Sequence, residues 1–149
     1  MRPQHLIGRW RGSGLPTRSP LDGLLEAYGW YGKEFLDADR VHPLLFRTRS
    51  GPRPVDPALI PMGVLRNRPG LARSWVARAA FSAVRPMLST DRHTARLRTV
   101  EHRRVATAAM VYDALPIIDV FRRVSSATVL GLMDLRGLTE PFFFVLRRD

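Results

Sequence analysis

The chain has 149 residues, 45% of them hydrophobic, enough for one ordinary core, and shows neither the polar tract of a disordered chain nor an internal repeat. It lacks cysteine, which excludes disulfides, thiolate metal sites and cysteine nucleophiles and makes a cytoplasmic location the expectation. The formal net charge is +11, yet every one of the 24 basic residues except Lys33 is arginine, scattered singly or in pairs such as Arg103-Arg104, Arg122-Arg123 and Arg147-Arg148. That dispersion argues against sequence-specific nucleic-acid binding and leaves attraction to anionic ligands or surfaces open.

His5, Arg9 and Arg11 interrupt any apolar leader, and no apolar run approaches the ~20 residues of a membrane span, so neither a secretory signal nor a membrane span is expected. Residues 8–14, Gly-Arg-Trp-Arg-Gly-Ser-Gly, read as a strand whose glycines let another element approach closely. Ser19-Pro20-Leu21-Asp22 has the form of a helix start, and the spacing of Leu21, Leu24, Leu25, Tyr28, Tyr31, Phe35 and Leu36 predicts a helix to about Leu36, weakened by Gly23, Gly29 and Gly32. A short strand over His42–Arg47, a turn over Ser50–Pro54, a Pro-interrupted helical turn over Pro57–Leu65 and a loop over 66–70 follow. A second amphipathic helix spans Ala72 to Met87, its Ala-rich stripe suited to packing on a sheet or closing a barrel. Beyond it, candidate strands at 94–101, 104–112, 117–124, 128–134 and 141–148 make an antiparallel meander.

The expected fold is therefore mainly β: a single barrel domain over 1–149 of about seven or eight antiparallel strands, with two or three helices inserted in its first half. Its parts are a first segment at 1–60, a helical insertion at 61–93 and the meander at 94–149.

Gly8-x-Trp10-x-Gly12, Gly29-Trp30-Tyr31-Gly32-Lys33 and Val41-His42-Pro43-Leu44-Leu45-Phe46 resemble the bacterial GXWXG family. Met110-Val111-Tyr112-Asp113, Pro116-Ile117-Ile118-Asp119-x-Phe121-Arg122, Leu130-Gly131-x-Met133-Asp134 and Phe142-Phe143-Phe144-x-Leu146 resemble the companion domain of unknown function that follows it. The opening is more distantly similar to nitrobindin-type and lipocalin barrels. That likeness implies Trp10 as a plug at the barrel base, with Gly8 and Gly12 beside it, and Arg147 or Arg148 over its indole. In nitrobindin-like proteins a late-strand histidine holds haem; here no histidine follows His102, so haem is disfavoured and no cofactor is expected. No histidine pair has metal-ligand spacing either.

Among polar residues, Asp119 is the most distinctive, a carboxylate flanked by Ile117, Ile118, Val120 and Phe121. Burial would raise its pKa and make it a proton donor, or it would pair with Arg96, Arg98, Arg122 or Arg123. His42 at a strand start is either a general acid or base or a rim histidine satisfied by a carbonyl. Asp113 is the other candidate complement to Asp119, although it also suits a turn, and Tyr112 a hydrogen-bond donor. Trp30, Tyr31, Arg98, Phe121 and Met110 are the expected ligand contacts. Two functions fit: a barrel holding a small hydrophobic or anionic metabolite, or a cofactor-independent isomerase, cyclase or dehydratase in the same cavity. A homodimer is left open.

Overall fold

In a computed structural model describing residues 1–149, the chain is mainly antiparallel β-sheet. The strands are β1 (Gly8–Leu15), β2 (Trp30–Phe35), β3 (Val41–Phe46), β4 (Arg53–Pro54), β5 (Ala95–His102), β6 (Val105–Tyr112), β7 (Ile117–Arg123), β8 (Thr128–Leu135) and β9 (Phe142–Arg148). They pair in the order β2-β1-β9-β8-β7-β6-β5-β3-β4, and β2 also pairs with β3. All strands except β4 thus form a closed ring, which removes the exposed edges an open sheet would carry. Four short helices accompany them: α1 (Leu24–Ala27), α2 (Met62–Asn67), α3 (Pro69–Ala72) and α4 (Trp75–Leu88).

The five strands of the meander lie close to where alternation and turn residues put them. The helix expected from Ser19 to Leu36 does not form: only α1 is helical, and Trp30–Phe35 is β2. Gly23 and Gly29, both at φ 78°, bracket α1 in left-handed conformations, and the segment beyond pairs with β1 on one side and β3 on the other. The loop expected at 66–70 is largely helical, forming the end of α2 and the start of α3.

Strand alternation sorts side chains between the inside of the ring and its outer surface. Trp10, paired with Lys33 in register, is fully buried, and its Nε1 donates to the Leu6 carbonyl at 2.6 Å. Opposite Trp10 on β9 is Arg148, whose guanidinium lies 4.3 Å from the indole centroid and donates to the carbonyls of Ile7 and His5. Arg148, not Arg147, therefore covers the indole. Arg147, one residue along the pleat, points to the other face and donates to Ser13 Oγ at 3.2 Å.

Above the indole the interior is filled by Phe35, Phe121 and Phe144 in edge-to-face contacts with centroids about 6 Å apart. Gly12 and Gly131 are where the rings of Trp30 and Phe144 meet the wall. A Cβ on Gly12 would sit 2.1 Å from the Trp30 ring, and one on Gly131 would sit 2.3 Å from Phe144.

The helices cover the opposite end. Phe81 of α4 packs on Tyr28 and Phe46, each at 5.1 Å between centroids. Arg73 donates to the carbonyls of Pro20 and Asp22. The apolar stripe of α4 does not pack flat against the sheet: none of its residues is buried, and Trp75 and Met87 are 73% and 82% exposed. It instead borders an apolar groove of about 490 Å³ shared with Leu25, Phe46, Ile60 and Leu65. No helix is long and apolar enough to cross a membrane.

Candidate functional site

Between the filled base and the helical cover lies a cavity of about 70 Å³, walled by Trp30, Phe142 and Phe144 and roofed by Leu21, Leu25, Ile60, Met62, Leu65 and Leu115. Three polar side chains line it: Lys33 of β2, Tyr112 of β6 and Asp119 of β7. Lys33 and Asp119 are only 3% and 1% exposed, and Nζ lies 2.9 Å from Asp119 Oδ2.

Beside this ion pair, the ammonium of Lys33 donates to the Pro43 carbonyl at 3.0 Å and to the Tyr112 hydroxyl oxygen at 3.4 Å. Pro43 is available because β3 is irregular there: Glu34 pairs with His42 and Gly32 with Leu45, leaving Pro43 and Leu44 opposite Lys33 alone. A residue without an N–H fits this break in the ladder. The Phe144 ring, with its centroid 5.0 Å from Nζ, adds a cation–π contact.

Burial raises the Asp119 carboxyl above its ordinary value, and the charge of Lys33 opposes that rise. Neither carboxylate oxygen has a hydrogen-bond partner: Oδ2 meets the ammonium as an ion pair, and Oδ1 is buried without one. Burial, reinforced by the charge of Asp119, pushes the Tyr112 phenol well above 10. Tyr112 is therefore a neutral O–H at any ordinary pH.

The remaining sequence candidates lie elsewhere. Asp113 follows β6 on the surface and accepts from Arg96 Nε at 2.8 Å. His42 sits opposite Glu34 and against His93, with ring centroids 4.6 Å apart. Burial and the charge of His93 lower its pKa, and it does not line the cavity. Tyr31 hydrogen-bonds Asp149 and lies beneath Arg47. Arg98 reaches outward to the Ala38 carbonyl and Asp39. Phe121 and Met110 are fully buried in the filled part of the ring rather than against the cavity.

The partner of Asp119 is thus none of the four arginines considered. It is Lys33, the residue that sequence reasoning missed, and the available signal was its being the one lysine among 24 basic residues.

A family model described as GXWXG protein matches residues 1–51, and one described as a domain of unknown function, DUF4334, matches residues 93–148. The chain thus carries a GXWXG segment followed by a DUF4334 domain. A crystal structure of a protein from Thermomonospora curvata matches all of this chain and 78% of its own, at 31% identity and a TM-score of 0.71. No curated protein matches the chain. The two family segments supply the ring, with the cluster split between them: Lys33 from the first, Tyr112 and Asp119 from the second. The cover formed by α2, α3 and α4 falls between the matched segments.

Proposed function

We propose that this GXWXG barrel binds a small hydrophobic molecule whose single polar group meets Lys33, Asp119 and Tyr112. The observation that carries this reading is the convergence of three titratable side chains in a cavity otherwise lined by apolar groups. A cluster serving stability alone has no need of a cavity beside it, and an ion pair in such surroundings is weak evidence of stabilisation.

The pair also bears on the ligand's charge. Lys33 and Asp119 already neutralise one another, and an anionic group brought to Nζ would meet the carboxylate beside it. A neutral polar group suits the cluster better than the anionic one that the chain's overall charge suggests. Native mass spectrometry of the protein purified from its own host tests the reading: a stoichiometric hydrophobic passenger is expected, with release by organic solvent. A bare polypeptide that also takes up no hydrophobic compound overturns it.

Acid/base catalysis in the same cavity is the second reading, favoured by the raised Asp119 carboxyl next to the neutral Tyr112 phenol. Asp119→Asn removes the exchangeable acid and keeps the shape, so turnover of a substrate identified from the passenger would disappear while binding persists.

A further inference from the structure

We infer that Lys33 is a nucleophile that captures a hydrophobic aldehyde as a Schiff base, with Asp119 and Tyr112 managing the protons. This rests on the reading of the cavity as a ligand site. Three observations point to it.

The first is the identity of the residue. An arginine would serve a purely structural pair with Asp119 at least as well, through its planar fork, and arginine fills every other basic position of the chain. What lysine offers and arginine lacks is an amine that can give up its proton and attack carbon. The second is placement: Lys33 lines the cavity together with Asp119 and Tyr112, with its Nζ beside both of their oxygens, and the chain has no other side-chain amine. The third is size. About 70 Å³ is the space of roughly two waters at ~30 Å³ each, enough for a terminal carbonyl and too little for a whole hydrophobic molecule. Leu25, Ile60 and Leu65 stand between this cavity and the groove of about 490 Å³ under α4, so a shift of these side chains would give an alkyl tail an apolar continuation.

The chemistry balances within the cluster. A proton passes from Lys33 Nζ to Asp119, leaving an amine whose lone pair forms the N–C bond as the carbonyl π pair moves to oxygen. Asp119 protonates that oxygen, with the Tyr112 O–H able to donate a hydrogen bond to it. The carboxylate then removes a proton from nitrogen and returns it to the hydroxyl, which leaves as water while the nitrogen lone pair forms the C=N bond. In sum, an ammonium and an aldehyde become a protonated imine and water, and the positive charge beside Asp119 is retained.

The test incubates the full chain with octanal, using 1-octanol as the non-carbonyl control, and adds sodium cyanoborohydride. Intact mass and peptide mapping follow, and tryptophan fluorescence reports non-covalent binding through Trp30. The expected result is one reduced octyl adduct on Lys33, with the Met1 amine as internal control left largely unlabelled. Lys33→Met should abolish that adduct, and Tyr112→Phe should slow its formation while the barrel stays folded. Binding of octanal and octanol without an adduct on Lys33, or labelling confined to Met1, overturns the Schiff base and leaves the binding reading standing. Absence of both adduct and binding overturns the two together.

Discussion

At Lys33 and Asp119 the barrel holds opposite charges in a nearly dry interior, where the loss of one partner matters more than the net value of the pair. Lys33→Met leaves the Asp119 carboxylate buried without compensation and is expected to destabilise by about 3–5 kcal/mol at neutral pH. The double variant Lys33→Met with Asp119→Leu should recover much of that loss. Urea unfolding of the parent, the two single variants and the double variant measures the coupling, and simple additivity would contradict it.

The pH dependence has a definite sign. The folded-state pKa of Asp119 is raised by burial, so between the ordinary carboxylate value and the raised one the folded protein keeps a proton that the unfolded chain has lost. Stability from this group is complete below the unfolded value and falls as pH rises through the folded value. Without the opposing charge of Lys33 the carboxyl is pushed further up. The deficit of Lys33→Met relative to the parent should therefore shrink on acidification, and a deficit constant across pH would show that the charge is not its cause.

At the level of elements, the sequence between Ser19 and Leu36 shows how an error of periodicity hides a site. The apolar spacing is helical, but glycines at left-handed φ end α1 after one turn, and pairing on both edges draws Trp30–Phe35 into the ring. On a helix Lys33 would have joined a solvated face; on β2 it shares the inner face with Trp10. The strand positions of Tyr112 and Asp119 were legible because alternation and apolar context are local properties, whereas Trp30 fell within the misread helix. The partner of Asp119 was not legible, because that contact spans two halves of the chain. The strands from Ala95 onward were legible because alternation and hairpin turns are also local, although Arg104, expected to open a strand, instead forms a turn with Arg103, both at positive φ.

Close approach makes a second element-level prediction. Gly12→Ala drives a methyl into the Trp30 ring, and β1 is tied to β2 and β9, so the indole must move at a cost of about 1–3 kcal/mol. A shifted tryptophan emission together with a lowered urea midpoint is the expected result. The cover is held more loosely: α4 buries none of its residues and meets the rim chiefly through Phe81. Amides of α2 to α4 should exchange with deuterium well before those of β6 to β9. Equal protection would show that the cover is part of the cooperative unit.

Over the whole molecule, the ring is uneven. From β5 through β9 to β1 and β2, neighbours share several register pairs, with three at the fewest between β6 and β7, whereas β3 and β5 meet at the single register pair Val41 and Ala95. Near that join, Thr94 N–H donates to the Val41 carbonyl, Leu97 N–H to the Ala38 carbonyl, and Arg98 reaches across to Ala38 and Asp39. The base is the opposite case: Trp10 and Arg148 bring the first and last strands together around a fully buried indole. Trp10→Ala should thus cost about 3–5 kcal/mol, as the loss of a large buried aromatic does. Arg98→Ala removes surface bonds and should cost about 1 kcal/mol or less. The two variants should also separate in kind. Loss of the indole lowers protection across the whole ring because it removes core shared by several strands, while loss of Arg98 accelerates exchange selectively at the Thr94 and Leu97 amides. Hydrogen exchange at single-amide resolution distinguishes these patterns, and a uniform response to Arg98→Ala would mean that the β3–β5 join is no weaker than the rest of the ring.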